Sequence, residues 1–495
     1  MMTGDLFLLL LAALPVLLAA ACLLSRSPQG VLRLCAAGTV STAALMVLLS
    51  AMVFAGGALS AAGGWLRLDA LSAFHTVVMA IVFSLSAMQA PGYFSDETDS
   101  GAFSLKTARR FGSLWFGSMA AMLTVLLSGN IGVMWVGIEA TTLLTAFLIC
   151  IHATPKSLEA MWKYLLMCSV GVALAFTGTL LIAASASHAP LSGAGTLLWT
   201  GLTSAAGQLD PPLLKAGFIF LVVGYGTKAG LAPMHSWLPD AHSQSPAPVS
   251  AVFSGFLLNS ALYCIFRVLP IVESATGHTG WGSGILVAAG LASLVLAAVF
   301  IVVQKDLKRL LAYSSLEHIG IITLGVGLGG TGIFAAMLHT LAHSIGKTTA
   351  FLSAGRLVKA FGASEMKHIR GALAASPVWG GGLLVSLLAL LGTAPFALFL
   401  SELMILRTAV GAGNYAIAGI FLAATVVIFI GALRVLIPMA WGPAGRTVQP
   451  LRATPGDRML VLLPLLALLA LGLLMPGFLR DALAAAAAVI AGGAS

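Results

Sequence analysis

GYGTKAGLAPMHSWLPDAH, residues 224–242, carries a lysine along an apolar stretch and then breaks the stretch. Lys228 ends the run that begins LLKAGFIFLVV at 213, and Gly230 and Pro233 follow at once. Proline has no backbone donor and clashes with the turn before it, so a helix arriving here is interrupted and frees carbonyls that can bind water or a cation. A second stretch, LLGTAPFALFLSE at 390–402, repeats the pattern with Gly392 and Pro395 ahead of Glu402. Interrupted spans in matching halves of a membrane protein mark ion sites between inverted repeats. Proline kinks alone are common in membrane helices; it is the adjacent charges that give these two weight.

Outward from these stretches the chain is apolar. Of 495 residues, 59% are apolar and 8% charged, which excludes a single water-soluble core. Runs long enough to cross a hydrocarbon layer of about 30 Å lie near 5–25, 31–56, 70–90, 112–128, 131–151, 161–184, 214–232, 248–271, 283–303, 309–329, 332–357, 377–402, 416–440 and 459–478. Barrel strands would alternate in polarity, so these continuous runs are helices. The first holds Asp5 where a signal peptide would be basic, and reads as a span. The expected fold is an all-α membrane protein of about fourteen transmembrane helices, with two inverted five-helix repeats and broken seventh and twelfth helices. It divides into residues 1–111 (helices 1–3), 112–271 (first repeat), 272–440 (second repeat) and 441–495 (last helix and a short alanine-rich tail).

The net charge of +9 points to membrane orientation rather than nucleic acid. Sixteen basic residues, among them Lys156, Lys163, Lys305, Lys308, Arg446 and Arg452, follow odd-numbered spans, against four on the other side: Arg67, Lys215, Arg407 and Arg480. Cytoplasmic loops carry the lysine and arginine excess, so both termini are expected outside. Cys22, Cys35, Cys150, Cys168 and Cys264 lack the close spacings of zinc or iron–sulfur sites, and neither a metal nor a cofactor is expected in this chain.

Five bases remain within spans: Lys228, Arg267, Lys347, Arg356 and Arg434. With them go three acids, Glu139 in WVGIEATTLL, Glu317 and Glu402. An ionisable group at mid-bilayer costs about 2.5 kcal/mol or more, so each needs a partner, water or a proton. Arg267, Arg356 and Arg434 fall near span ends and read as snorkelling or packing residues. Glu139, Lys228 and Glu402 are placed deeper and read as functional.

His339, His343 and Lys347 recur every fourth residue and share one helical stripe. One such histidine would read as interhelical glue. Three titratable groups in register suit proton relay, because imidazole can accept on one nitrogen while donating from the other. Glu317 and His318, in KRLLAYSSLEHIG, extend the same polar line. If Glu139 approaches Lys228 to about 4 Å at an effective dielectric near 20, their attraction is about 4 kcal/mol. Separating them would then release a proton.

Three stretches, GYGTKAGLAPMHSWLPDAHSQSPAPVSAVFSG (224–255), VVQKDLKRLLAYSSLEHIG (302–320) and GTAPFALFLSELMIL (392–406), resemble the antiporter-like membrane subunits of respiratory complex I, the multi-subunit cation/proton antiporters and the group 4 membrane-bound [NiFe]-hydrogenases. LEAMWKYLLMCSVGVALAFTG (158–178), the Asn259 segment and AHSIGK (342–347) look most similar to component F of hydrogenase-4 and its formate-hydrogenlyase relatives. The resemblance implies half-channels joined by a lateral polar axis, with Glu139 as the fifth-helix glutamate, Lys228 as the seventh-helix lysine and Glu402 as the charge of the broken twelfth helix. His318 and His343 fall at central relay positions. The family's eighth helix often carries a lysine or histidine, where this chain offers Ser254 and Asn259; Lys347 with His343 is the expected middle site. Lys163, His235, Asp240, His242, Asn259 and Glu317 are secondary candidates beside His339 and the rest of the pathway.

The function implied is proton translocation as one membrane subunit of a redox-driven complex in the bacterial cytoplasmic membrane. Its partners would be other membrane subunits, surrounding lipid and a peripheral arm holding the [NiFe] and iron–sulfur clusters. The alternative is a cation/proton antiporter subunit with no redox partner.

Overall fold

The computed structural model describes residues 2–187, 189–191, 193–443 and 453–493; Arg446 and Arg452 lie outside them. The helices in chain order are α1 (Met2–Leu24), α2 (Pro28–Gly56), α3 (Ala70–Tyr93), α4 (Ser95–Asp99), α5 (Leu105–Leu127), α6 (Ile131–Ile149) and α7 (Pro155–Ser185). Next come α8 (Trp199–Ser204), α9 (Pro211–Ala229), α10 (Leu238–Gln244), α11 (Ala247–Val252), α12 (Leu258–Ala275), α13 (Trp281–Val303) and α14 (Leu307–Leu328). The last are α15 (Thr331–Phe361), α16 (Ala372–Ala375), α17 (Pro377–Leu390), α18 (Ala397–Gly411), α19 (Tyr415–Trp441), α20 (Pro455–Leu473) and α21 (Gly477–Ile490). Among the described residues this is an all-α membrane protein apart from one hairpin that the sequence reading did not anticipate, β1 (Leu59–Ala61) and β2 (Leu66–Leu68), antiparallel with Leu59 opposite Leu68.

Among the described residues, eleven helical segments are long and apolar enough to cross a membrane, counting α11 to α12 as one. The three expected spans outside that set are α9, which ends in Lys228, α15, which holds the histidine–lysine stripe, and the broken pair α17 and α18. Polar residues dilute α9 and α15, and the break leaves α17 and α18 at 14 and 15 residues, too short to be counted.

Lipid cannot solvate the polar helices, so the apolar ones surround them. The spans Ala247–Ala275 and Leu307–Leu328 are wholly enclosed, whereas α1, α7, α13, α19 and α20 turn Leu17, Val170, Val299, Ile430 and Leu463 outward. Helix α15 sits between α14, α17, α18 and α11. Helices α7 and α9 cross at small residues; a Cβ on Gly224 would stand 2.5 Å from the Ala175 amide nitrogen. That crossing brings the end of α9 against α7.

Two expectations are sharpened and one is corrected. The short alanine-rich tail forms a helix: α21 folds back on α3, α12 and α15, burying Leu483, Ala486, Val489 and Ile490. Alanine favours helix, and its small side chain permits that close packing. Of the two readings of Arg267, packing holds: it is buried, 4% exposed, and clamps Asp69 in two contacts of 2.5 and 2.6 Å. Its Nε also donates to Tyr263 at 2.8 Å. Lys308, assigned to a cytoplasmic loop, is buried in the first turn of α14, where Nζ donates to the Ser245 carbonyl at 2.7 Å. Glu139 on α6 and Glu402 on α18 are partly exposed.

Candidate proton pathway

Both helix breaks are built alike. A glycine in the left-handed region ends the first segment, Gly230 at φ 78° and Gly392 at φ 64°, where a side chain would be strained. The Thr227 carbonyl accepts from the Gly230 amide at 3.2 Å and from the Trp237 indole N–H at 2.8 Å, so this break is closed by protein. At the second break the space above Gly392 is filled by the Glu402 carboxylate; a Cβ there would fall 2.2 Å from Glu402 Oε2.

Lys228 is fully buried at the end of α9. Its Nζ donates to Thr142 Oγ1 at 2.9 Å and to the Tyr164 hydroxyl. Tyr164 in turn meets Thr145 Oγ1 at 2.6 Å. Glu139 stands one turn before Thr142 on α6, and its Oε2 has no hydrogen-bond partner. Glu139 and Lys228 form no ion pair within 4 Å among the described residues, but each acts on the other through space. The ammonium therefore rests among hydroxyls, with the carboxylate set apart.

The second cluster is the stripe on α15, fully buried along His339, His343 and Lys347. His339 Nδ1 is 2.9 Å from Ser401 Oγ, and its Nε2 is 3.0 Å from His318 Nδ1. The His318 ring lies 5.1 Å from the His343 ring, whose two nitrogens have no partner. One turn on, Lys347 Nζ donates to the Leu311 carbonyl at 2.9 Å, and Glu317 acts on it through space. At the other end, donor atoms of His318, His339 and Glu402 all lie within 4.8 Å of one another. Two histidines and a carboxylate are also zinc-type donors, though the ring-to-ring contact already pairs the histidines. The sequence predicts no metal here, and the same closeness serves proton exchange. Ser401, His339 and His318 are linked by hydrogen-bond contacts, and the line continues to His343 by ring contact alone.

Between the clusters stand two rings. Trp237 lies 4.9 Å from Tyr164 and 6.4 Å from His242, and Phe253 lies 6.3 Å from Tyr164 and 6.0 Å from His242. His242 is fully buried, within electrostatic reach of Lys347 and Lys308. The row of titratable groups is thus two polar clusters flanking an aromatic pair.

The secondary candidates separate. Asn259 joins the central cluster, donating to Ser344 Oγ at 3.0 Å beside His343. Glu317 is buried and accepts from Ser314 at 3.2 Å. Lys163 and Asp240 are at the surface, paired at 3.2 Å, with Glu159 and Arg309 completing the network. His235 packs against Phe300 and Tyr313, away from the central stripe. Sequence reasoning missed Tyr164, Thr142 and Ser401, because a hydroxyl in an apolar helix gives no signal until a lysine or histidine is folded against it. It missed Lys308 because charge at a span's edge reads as loop.

A bundle of membrane helices with two broken spans and buried lysines and histidines strung across its interior defines the class: an ion-translocating membrane subunit. The model of the family described as NADH:quinone oxidoreductase/Mrp antiporter, TM, matches residues 128–428, and the chain belongs to that family. It is 38% identical over 393 residues to the hydrogenase-4 component F homolog of Methylacidiphilum infernorum, covering 79% of this chain and 82% of that one. Its fold matches a chain of the Mrp complex from Dietzia sp. DQ12-45-1b with a TM-score of 0.84, at 21% identity over 99% of this chain and 98% of that one. A chain of respiratory complex I from Thermus thermophilus matches with a TM-score of 0.81, at 23% identity over 99% and 100%.

Proposed function

We propose that this chain translocates protons as a membrane subunit of a redox-driven complex of the hydrogenase-4 or complex I type. The observation that carries the reading is the line Glu402, His339, His318, His343, Lys347, fully buried from His339 onward, whose members touch or adjoin across three helices. Charged residues there are costly in a purely structural bundle. The likeness to the hydrogenase-4 component F homolog over four-fifths of both chains supports a redox complex rather than a free-standing antiporter.

In this reading Glu139, Lys228 and the Tyr164 hydroxyl form one half of the path, and the α15 line with Glu402 forms the other. A proton held on Lys228 passes toward His242 when the Trp237 and Phe253 rings part, and Lys347 with His343 serves as the middle site. The five cysteines are buried thiols on separate segments, a poor set for a cluster. The [NiFe] and iron–sulfur clusters accordingly belong to a peripheral arm, and other membrane subunits flank this one. The excess of basic residues after odd-numbered spans supports both termini outside a bacterial cytoplasmic membrane. The matched breaks at Gly230 and Gly392 support repeats at 112–271 and 272–440.

The test is proton uptake by inverted vesicles carrying the assembled complex with Lys228→Ala or Lys347→Ala. Assembly and electron transfer should persist while uptake is lost. Undiminished uptake in both variants would overturn the assignment, and uptake that tracks sodium alone would favour the antiporter alternative.

A further inference from the structure

Where α13 meets α19, two cavities adjoin that the proton path does not use. One, of about 370 Å³, is lined by Lys305, Lys367, Arg370 and Arg434 with a single carboxylate, Glu365. Glu365 is paired to Lys367 at 2.6 Å, which leaves three cations facing the cavity without a matching acid on its wall. The other, of about 480 Å³, is a groove with only apolar side chains on its walls, including Val295, Val299 and Val302 of α13 and Ile420, Ala424 and Val427 of α19. They join at Val302, whose side chain lines the groove while its carbonyl accepts from Arg434 Nη2 at 3.1 Å.

The groove faces outward, with Val299 59% and Val427 44% exposed. From Arg434 down to Ile420 the path along α19 is fourteen residues, about 21 Å at 1.5 Å per residue. That is the depth of a headgroup plus one leaflet of a hydrocarbon layer about 30 Å thick. A cationic pocket at the end of an apolar groove of leaflet depth is complementary to one amphiphile.

We infer that this is a binding site for an anionic phospholipid, with the phosphate among Lys305, Arg370 and Arg434 and one acyl chain lying between α13 and α19. Guanidinium groups keep several N–H donors free after one backbone contact, so the arginines can grip phosphate oxygens. The bound lipid would fill the seam beside α14 without touching the relay.

The test is native mass spectrometry of the full chain, delipidated in detergent and then offered phosphatidylglycerol, phosphatidylcholine of the same acyl chains, or glycerol phosphate. The wild type should retain phosphatidylglycerol about tenfold more than phosphatidylcholine and should not retain glycerol phosphate. Lys305→Gln with Arg370→Gln, both at exposed positions, should erase that preference. Val299→Trp with Val427→Trp, which fill the groove from its open side, should lower retention of both lipids. Unchanged preference in the charge variant, unchanged retention in the groove variant, or retention of glycerol phosphate equal to that of lipid would each overturn the inference. So would a partner protein protecting Val299 and Val427 from labelling when lipid is absent.

Discussion

A buried charge is defined by what meets it. Lys228 is met by the hydroxyls of Thr142 and Tyr164, so Tyr164→Phe should leave the fold intact and slow proton uptake by about tenfold, the loss of one hydrogen bond to a charged group. A rate equal to wild type in reconstituted vesicles would remove Tyr164 from the path. At the middle site, Asn259 touches Ser344 whereas Lys347 is itself titratable, so Asn259→Ala should cost less uptake than Lys347→Ala. Equal and severe losses would mean that the centre is misplaced. Arg267 is different in kind. Removing it leaves the buried Asp69 carboxylate with only Arg67 at 3.5 Å and Ser72, so Arg267→Ala should destabilise the protein by about 3 kcal/mol, read as loss of folded material in a detergent melt.

At the scale of elements, the break between α17 and α18 is where backbone and chemistry meet. Gly392 supplies a left-handed turn and, by lacking a Cβ, leaves the space that the Glu402 carboxylate occupies. Gly392→Ala should therefore push Glu402 out of reach of His318 and His339 and depress uptake. Gly411→Ala, at the end of α18 with open space around it, is the control and should leave uptake unchanged. If the two variants behave alike in the same vesicle assay, the break has no bearing on transport. The stripe on α15 needed no such neighbour to be seen, since a spacing of four places side chains on one helical face whatever packs there.

Across the whole molecule, contacts outside the membrane tie distant segments together. Glu97 on α4 binds Lys359 at 2.6 Å and His152 at 3.0 Å, joining the ends of α15 and α6. Burial raises this carboxyl, but the hydrogen bonds from His152 and Lys359 outweigh it and hold Glu97 down at about 2, below its ordinary 4.5. A carboxylate lowered on folding stabilises fully above its unfolded value. The contribution of Glu97 is thus complete above pH 4.5 and lost as pH falls through about 2. Melting temperature should drop over that acid window in the wild type and drop less in Glu97→Gln; parallel curves would show that the cluster contributes nothing.

The chain alone determined that lipid is its solvent, that its elements are helices, where two of them break, and which charges share a face, because each follows from local composition and from periods of a few residues. It also carried the motifs by which the family is recognised. Only the tertiary structure decided that Lys228 rests on hydroxyls instead of on Glu139, that Ser401 and His318 flank His339, that Arg267 answers Asp69, and that aromatic rings stand between the two polar clusters. Asp69 and Arg267 are 198 residues apart, and no periodicity reaches that far. Partners at such separations are chosen by packing, as the polar side chains of enclosed helices pair with one another because neither water nor lipid is there to satisfy them.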